Sequence, residues 1–274
     1  MAEADVPDGL RLSVASGWNQ READWRLLLR LSQGVFRVAV TDGRVVATGG
    51  AVLYGTRLAW ICMMLVEPEL RGHGIGTSIL EDVLAQLGEV ESVGLDATPA
   101  GRPVYSKLGF SDAASLVRMG TRPDRCRLDA DAARPVSTAT LTAVLELDRQ
   151  VFGADRAGVL RWALDQAPEY AWSLDEGGIL GGYCFGRHGH HSEQIGPVVA
   201  RSPEAARQLV SACLRRAKAG PFLIDVPADS PGWIAELRAL GFEEQRRLTR
   251  MYFGGGSGPG RPGLQLAICG PELG

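Results

Sequence analysis

The chain has 274 residues, 45% of them hydrophobic and 22% charged, and a net charge of −3. This is the composition of an ordinary globular protein, and the length is sufficient for two domains. Positive and negative residues are nearly balanced in both halves, which excludes a basic field of the kind that binds nucleic acid or an anionic membrane. No apolar run approaches the length of a membrane-spanning segment.

The cysteine pattern indicates the compartment. Five cysteines, an odd number without a C-x-x-C pair, are spread along the chain: Cys62, Cys126, Cys184, Cys213 and Cys269. We expect reduced and mostly buried thiols, as in a cytoplasmic protein. The stretch from Met1 to Gly9 is acidic and polar, unlike a signal peptide. The abundance of Ala, Gly and Arg, with only two lysines, favours a bacterial source.

Hydrophobic periodicity predicts both strands and helices in the first half. Strands are predicted at 10–15, 35–40, 45–53, 58–66, 93–96 and 116–119, and helices at 18–31, 74–87 and 99–108. The pair Asp42-Gly43 is a turn that joins two of these strands into a hairpin. This order predicts an α/β fold of the mixed-sheet (α+β) kind, in which a twisted mixed sheet carries helices on both faces.

A glycine-rich loop lies between the strand at 58–66 and the helix at 74–87. Three glycines in five residues, Gly72, Gly74 and Gly76, leave backbone N–H groups uncovered where the helix begins. A helix N-terminus has unpaired donors and partial positive charge, so this geometry suits a phosphate or pyrophosphate. Arg71 adds a cation with a bidentate fork. The spacing is neither the dinucleotide-binding fingerprint nor a P-loop.

The string V-x-P-x-x-R-G-x-G-I-G, from Val66 to Gly76, resembles the acyl-CoA-binding motif of the GNAT acyltransferase superfamily. The predicted order of elements is also that of a GNAT domain. The resemblance implies acetyl-CoA or another acyl-CoA as co-substrate, and no metal. It places the pantetheine arm along the strand at 58–66, with one backbone N–H acting as an oxyanion donor to the acyl carbonyl. The residues that it implies for this binding are Met64, Leu65, Val66, Arg71, Gly72, His73, Gly74, Ile75, Gly76 and Thr77.

Tyr105 is the predicted catalytic residue. The segment from Tyr105 to Phe110 resembles the GNAT segment whose tyrosine is a general acid. By that likeness, Tyr105 protonates the CoA thiolate as it leaves, and a phenol near a leaving thiolate is chemically suited to this step. The alternative is a tyrosine that packs on its helix with the hydroxyl in water.

The general base is not evident. Many family members place a Glu on the strand before the glycine loop, but the strand at 58–66 contains no carboxylate. Either the amine arrives neutral, or a water relay or another segment supplies the base. Asp96 on the next strand is one candidate, with a purely structural role as its alternative. A second hypothesis assigns the base to His190 or Glu193, provided that their hairpin faces the cleft of the first domain. Cys62 as an acyl-carrying nucleophile is less well supported, because its surroundings are apolar.

The second half repeats the first. Leu-Gly-Phe occurs at 108–110 and at 240–242, an offset of 132 residues, and each copy is followed at the same distance by Arg-Met. The corresponding elements of the second half are strands at 179–185, 192–199 and 224–225, a helix at 204–217 and a last strand at 264–268. We therefore predict two tandem GNAT-like domains, residues 1–125 and 126–274, with a linker at 122–135.

The repeat has lost the residues of the predicted site. Arg201-Ser202-Pro203-Glu204 replaces the glycine loop, and Leu237 stands where the first half has Tyr105. We expect one acyl-CoA site, in the first domain, and a second domain that is structural or recognises the acceptor. The cluster His188, His190 and His191 is interpreted as a polar hairpin tip in preference to a metal site.

These observations predict transfer of an acetyl or other short acyl group from acyl-CoA to a primary amine, by direct attack. A small-molecule acceptor is expected in a cleft between the domains, where ligand sites commonly form. Two alternatives stay open at this point. One is acylation of a hydroxyl group, as in natural-product tailoring, and the other is a non-catalytic acyl-CoA sensor.

Overall fold

The computed structural model of the chain describes residues 1–122, 124, 126, 128, 132–216 and 220–274. Parts of the predicted linker 122–135, and the end of the predicted helix 204–217, lie outside the described residues. The helices of the described chain are α1 (Val6–Ala15), α2 (Glu22–Leu31), α3 (Ile75–Gln86), α4 (Arg102–Lys107), α5 (Thr138–Phe152), α6 (Ala157–Gln166), α7 (Pro203–Arg215) and α8 (Pro231–Ala239). The strands are β1 (Arg37–Thr41), β2 (Arg44–Tyr54), β3 (Leu58–Val66), β4 (Val93–Ala97), β5 (Phe110–Thr121), β6 (Arg134–Pro135), β7 (Trp172–Asp175), β8 (Leu180–Arg187), β9 (Glu193–Ala200), β10 (Phe222–Pro227), β11 (Glu243–Phe253) and β12 (Gln265–Ala267).

The strands form one continuous mixed sheet, which confirms the predicted fold class. Its order is β1-β2-β3-β4-β11-β5-β10-β9-β8-β7-β6, and β12 pairs with β9. The last long strand of each half therefore lies inside the other half. β11 pairs antiparallel with both β4 and β5, and β5 pairs antiparallel with β10. This exchange joins the two halves by main-chain hydrogen bonds. The division into residues 1–125 and 126–274 stays a prediction.

One predicted element is wrong. The residues at 10–15 form the end of helix α1, not a strand. Val6 and Leu12 are buried on one face of the helix, whereas Val14 is 38% exposed. Three alternating apolar residues are too few to distinguish a strand from one face of a helix, so packing decides the outcome. Here that packing includes Trp25 of α2, in the same buried cluster as Val6 and Leu12.

Strands β3 and β4 run parallel and then separate. They pair only at Ala59–Val93 and Trp60–Gly94. Beyond Trp60, β3 keeps only its antiparallel neighbour β2. The backbone N–H and C=O groups on the other edge of β3 therefore have no partner strand and face an open cleft. This separation positions the candidate site.

In the second half, the corresponding gap between β9 and β10 is filled by the chain itself. β12 pairs antiparallel with the outer part of β9, and the Ile268 N–H donates to the Asp225 carbonyl of β10 at 3.0 Å. The indole N–H of Trp233 on α8 donates to the Leu266 carbonyl at 2.8 Å. Gly196 on β9 permits this approach, because a Cβ atom there would lie 1.9 Å from the Ile268 oxygen. The second gap is thus closed by the C-terminal segment.

Residues 269–274 continue from this segment back into the first half. The Tyr54 hydroxyl donates to the Leu273 carbonyl at 2.7 Å, and the Trp60 indole N–H donates to the Pro271 carbonyl at 2.9 Å. The end of the chain is therefore held against strands β2 and β3. In this position it forms one side of the cleft between β3 and β4.

Candidate active site

A cleft of about 570 Å³ opens where β3 and β4 separate. This volume lies within the range of small-molecule sites, roughly 300–1,000 Å³. The walls come from β3 and β4, from the segment around α4, from strands of the second half and from Pro271 and Glu272 of the C-terminal segment. Of the predicted site residues, the structure places five on these walls: Met64, Leu65, Val66, Arg71 and Tyr105.

The backbone of β3 is irregular where the acyl group is predicted to bind. The β2–β3 register shifts between Thr48 and Gly50, opposite Met63 and Met64. Met63 has a left-handed φ of +54°, and its carbonyl accepts a 2.8 Å bond from the Thr48 hydroxyl. Such a bulge re-aims the residues that follow it and leaves ladder groups unpaired. Met64, Leu65 and Val66 come directly after the bulge, on the free edge of the strand.

The glycine loop follows β3 and ends at the start of α3. Gly74 is the N-cap of α3, and its φ of +82° is a left-handed conformation that favours glycine. No backbone N–H from Gly72 to Thr77 donates to another group of the described residues. These donors, together with the N-terminus of a twelve-residue helix, form a surface suited to an anion.

Arg71 stands between the strand end and the glycine loop. Its Nε donates to the Val66 carbonyl at 3.1 Å. Within the described part of the chain, no carboxylate lies within 4 Å of its guanidinium group. His73 is exposed, with its Nδ1 3.3 Å from the Leu70 carbonyl. Arg71 therefore keeps its charge available at the mouth of the cleft, and His73, one of the residues implied for acyl-CoA binding, faces solvent.

The remaining loop residues form the first turn of α3. Ile75, Gly76 and Thr77 are partly buried. A Cβ atom at Gly76 would lie 3.4 Å from the Val66 side chain, so this turn packs closely on the end of β3. The loop and the strand end thus form one continuous surface.

Tyr105 lies on the wall of the cleft formed by the segment around α4. Its ring packs edge-on against Phe110, with centroids 6.0 Å apart. Its hydroxyl has no hydrogen-bond partner among the described residues. Burial, with a smaller contribution from Cys62, raises the pKa of Tyr105 to about 12. The phenol is therefore fully protonated at neutral pH and can act as a hydrogen-bond donor in the cleft.

Two of the other candidate groups are not suited to proton or acyl transfer. Both oxygens of Asp96 are bound by Arg250 of β11, at 2.9 Å and 2.8 Å. This bidentate pair gives Asp96 a structural role. Burial raises the pKa of the Cys62 thiol well above its usual range, which disfavours the nucleophilic thiolate.

The hypothesis that His190 or Glu193 supplies the base is wrong. Neither side chain lines the cleft. Glu193 binds His188, with Oε2 2.7 Å from Nδ1. The hairpin does contact the first half, but through its backbone: the His190 N–H donates to the Asn19 carbonyl at 2.9 Å. Because side chains alternate along a strand, the neighbour Gln194 faces the cleft instead.

Several wall residues of the cleft were not predicted from sequence. They are Arg118 on β5, Arg187 on β8, Gln194 on β9, Arg246 on β11 and Glu272 near the C-terminus. Arg118 binds Asp225 bidentately at 2.8 Å and 2.7 Å. Arg187 binds both Asp24, at 3.0 Å, and Glu272. No local motif marks these residues, since the exchanged strands and the C-terminal segment bring them together.

The counterpart of the glycine loop in the second half is closed. Ser202 caps α7, and its hydroxyl accepts from the Ala205 N–H at 3.2 Å. The adjacent Glu204 has a lowered pKa because of backbone and Ser202 hydrogen bonds. Leu237, at the position equivalent to Tyr105, is fully buried. The Ser202 contact occupies a backbone N–H donor at the start of α7 that an anion would otherwise bind.

Two further findings concern metals and membranes. Among the described residues, no group of three or more His, Cys, Asp and Glu side chains could hold a metal ion. The absence of a metal nevertheless stays a prediction. Within the same residues, no helix combines the length and apolar character needed to cross a membrane.

Comparison with known proteins gives matches along most of the chain. Two family profiles, both described as "Acetyltransferase (GNAT) domain", match residues 32–112 and 144–265. The uncharacterized N-acetyltransferase YitH of Bacillus subtilis (strain 168) is 28% identical over 92% of this chain and 89% of its own length. The holothin acyltransferase of Pseudoalteromonas sp. (strain SANK 73390) is 25% identical over 88% of this chain and 82% of its own length.

Solved structures share the fold. A candidate acetyltransferase from Pyrococcus horikoshii matches with a TM-score of 0.84 at 20% identity, covering 100% of this chain and 94% of the other. A tandem GNAT protein from the clavulanic acid biosynthesis pathway matches with a TM-score of 0.62 at 18% identity, covering 94% of this chain and 98% of the other. At these identities the likeness concerns the fold alone.

Proposed function

Because the chain belongs to the GNAT acyltransferase superfamily and contains two GNAT domains in tandem, we propose that it transfers an acetyl or other short acyl group from acyl-CoA to a primary amine of a small molecule. Members of this family use acetyl-CoA. The acyl-CoA site is assigned to the first domain, residues 1–125. The second domain, residues 126–274, supplies structural support and part of the acceptor site.

One observation carries this proposal: the free edge of β3 connects the open glycine loop to the wall that holds Tyr105. An extended pantetheine arm fits an unpaired strand edge, because its amides can pair with backbone groups as another strand would. The pyrophosphate then lies at the N-terminus of α3, with Arg71 as its cation. In the second domain the equivalent strand gap is filled by β12, and α7 is capped.

The chemistry follows from this placement. The thioester carbonyl receives a hydrogen bond from a backbone N–H of Met64, Leu65 or Val66, which stabilises the charge that develops on its oxygen. The amine nitrogen attacks the carbonyl carbon, and the C–N bond forms. The C–S bond then breaks, and Tyr105 gives its proton to the departing thiolate. The amine attacks in its neutral form, an ammonium having first released one proton to solvent, and the proton that the nitrogen loses on attack restores the phenol. Positioning of two bound substrates contributes much of the rate.

The named relatives support a small-molecule acceptor. One relative is described as an acyltransferase for holothin, and it aligns with most of this chain. The other is described as an N-acetyltransferase. The volume of the cleft, about 570 Å³, also suits a small acceptor.

Calorimetric titration with acetyl-CoA tests the binding half of the proposal. We expect one site per chain in the wild type and a roughly tenfold or greater loss of affinity in Arg71→Ala, because charge-assisted hydrogen bonds to phosphate are removed. Arg201→Ala is the matched control, since Arg201 is exposed and stands at the equivalent position of the second half. Equal losses in both variants, or no binding in the wild type, would overturn the assignment.

Turnover tests the transfer half. Release of free CoA thiol from acetyl-CoA is measured with a panel of small primary amines, and the acylated product is identified by mass spectrometry. Matched alcohols in the same panel test the alternative of hydroxyl acylation. Binding of acetyl-CoA without transfer to any member of the panel would favour the non-catalytic sensor over the enzyme.

A further inference from the structure

Unpartnered buried polar atoms are concentrated in the cleft. Seven buried side-chain nitrogen or oxygen atoms of the described residues have no hydrogen-bond partner. Five of the seven belong to residues that line this cleft: Gln20 Oε1, Arg187 Nε, Gln194 Oε1, Arg246 Nε and Glu272 Oε2. Folded proteins leave few such groups, and each one calls for an explanation. Their presence on the walls of one cleft indicates a polar ligand.

The unpartnered atoms include both hydrogen-bond donors and hydrogen-bond acceptors. Gln20, Gln194 and Glu272 offer acceptors, and Arg187 and Arg246 offer donors. Glu272 is buried, with 3% exposure, and only its Oε1 is engaged, by Arg187. Its free oxygen can accept from an ammonium or amine N–H.

Among the described residues of the cleft wall, Arg246 and Arg71 are the arginines without a carboxylate partner, and Arg71 lies apart from Arg246, at the glycine loop. Arg118 is paired with Asp225, and Arg187 is paired with two carboxylates. In the part of the chain that the structure describes, no carboxylate lies within 4 Å of Arg246. Burial and the neighbouring Arg118 lower the pKa of Arg246. An anionic group beside Arg246 would relieve both effects.

The charges of the cleft also limit the ligand. Apart from Arg71 at the glycine loop and the paired Asp96 and Arg250, the arginines of the cleft wall (Arg118, Arg187 and Arg246) are equal in number to the carboxylates that line the cleft or pair with them (Asp24, Asp225 and Glu272). A simple cationic amine would leave Arg246 without an anion. A simple anion would leave Glu272 without a donor. A zwitterion serves both groups and leaves the balance unchanged.

We propose that the acceptor is a small amino acid-like zwitterion, with its amine at Glu272 Oε2 and its carboxylate at Arg246. This proposal rests on the proposed acyl transfer and names its substrate class. The amine end is the productive one, because the carbonyls on either side of Glu272 accept hydrogen bonds from Trp60 of β3 and Tyr54 of β2, which holds Glu272 beside the strand predicted to bind the acyl group. Arg246 lies on β11 and also borders a second cleft.

Matched pairs of acceptors test the proposal. Each pair consists of an amino acid and the amine that lacks its carboxylate: phenylalanine and 2-phenylethylamine, lysine and cadaverine, β-alanine and ethylamine. With acetyl-CoA as donor, we expect the amino acid of an accepted pair to have a roughly 10- to 100-fold higher kcat/KM. Arg246→Gln should remove this preference, and Arg246→Lys should restore part of it.

Two variants separate the roles of the side chains. Arg247→Gln is the matched control, since Arg247 is the exposed next residue of β11 and pairs with Glu244. It should leave the preference intact. Glu272→Gln should lower kcat/KM for both members of a pair by similar factors, because both carry the amine. Thermal unfolding of each variant verifies that the fold is retained.

The outcomes are distinguishable from failure of the proposed function. If amines without a carboxylate are acylated as well as the amino acids, the zwitterion proposal is overturned and the acyltransferase remains. If no amine is acylated, the proposed function fails, and calorimetry on the CoA complex still decides the ligand class. Binding of the amino acids alone, lost in Arg246→Gln, would support the zwitterion site, whereas equal or absent binding of both classes would overturn it.

Discussion

The guanidinium of Arg250 binds both carboxylate oxygens of Asp96, at 2.9 Å and 2.8 Å, and so connects the second half of the chain to the first. Asp96 lies on β4 and Arg250 on β11, the strand that the second half inserts beside β4. The Asp96 side chain is completely buried, and Arg250 also stacks over the Trp60 ring at 4.6 Å. The pair holds β11 at the inner end of the cleft.

Asp96→Asn is therefore expected to destabilise the protein. The change keeps the side-chain volume but leaves Arg250 as a buried cation without a counter-charge, which costs about 3–5 kcal/mol in comparable cases. Equilibrium unfolding in urea gives the change in the free energy of unfolding. Asp112→Asn is the control, since Asp112 forms an exposed pair with Arg102 and its loss should change little. Similar effects of both substitutions would contradict the structural role assigned to Asp96.

Tyr105→Phe is expected to lower kcat about 100-fold, with little change in acetyl-CoA affinity, because only the proton donor to the leaving thiolate is removed. Steady-state kinetics with an accepted amine gives kcat, and calorimetry gives the affinity. Tyr170→Phe serves as control, because Tyr170 packs in the second half and does not line the cleft. Wild-type turnover in Tyr105→Phe would mean that the thiolate leaves without this acid.

The five tyrosines lead to a prediction of how the stability of the protein changes at alkaline pH. Burial raises the pKa of all five: Tyr54, Tyr105, Tyr170, Tyr183 and Tyr252. In the unfolded chain a phenol ionises near pH 10. Above that pH the unfolded chain therefore binds fewer protons than the folded one, and the free energy of unfolding falls as pH rises toward about 12, the pKa of Tyr105. The contribution of the protonated tyrosines to the free energy of unfolding is fully present below pH 10 and is lost above it.

An ultraviolet titration with parallel circular dichroism measures this effect. Tyrosinate absorbance should stay low until it rises together with the loss of secondary structure. In kinetics, Tyr105 should cause no fall in turnover between neutral pH and pH 10. Full ionisation of a tyrosine near pH 10, in a protein that is still folded, would contradict the burial assigned here.

The glycine loop could be located from sequence because its signal is local. The backbone N–H donors from Gly72 to Thr77 belong to six consecutive residues, and residue order alone places them after β3. The alternation at 10–15 was misleading for the same reason, because its three apolar residues satisfy either a strand or one helical face. The contact with Trp25 that decides between them comes from another helix.

The acceptor side of the cleft depends on long-range pairing. Arg246 reaches it only because β11 pairs with β4 and β5, and Glu272 reaches it only because β12 directs the C-terminal segment back to the first half. The repeat at 108–110 and 240–242 indicates that two copies exist, but it does not show that their last strands are exchanged. For the same reason the sequence does not indicate that Gln194, and not His190 or the adjacent Glu193, lines the cleft.

Substitution of Gly196 tests whether the C-terminal segment must fill the gap between β9 and β10. Its φ of +150° is rare for residues with a side chain, and a Cβ atom would meet the Ile268 oxygen at 1.9 Å. Gly196→Ala should therefore lower the free energy of unfolding by about 1–3 kcal/mol, as in overpacked sites. Gly263→Ala is the control, because a Cβ atom there meets nothing within 4 Å. Urea unfolding of the two variants compares them directly.

Glu272 lies four residues after Ile268 in the same C-terminal segment, so a displaced Ile268 should also displace Glu272. Gly196→Ala should therefore lower the turnover of amines as well, while acetyl-CoA still binds. Unchanged stability and turnover would show that the segment does not need this close contact to hold Glu272 in the cleft.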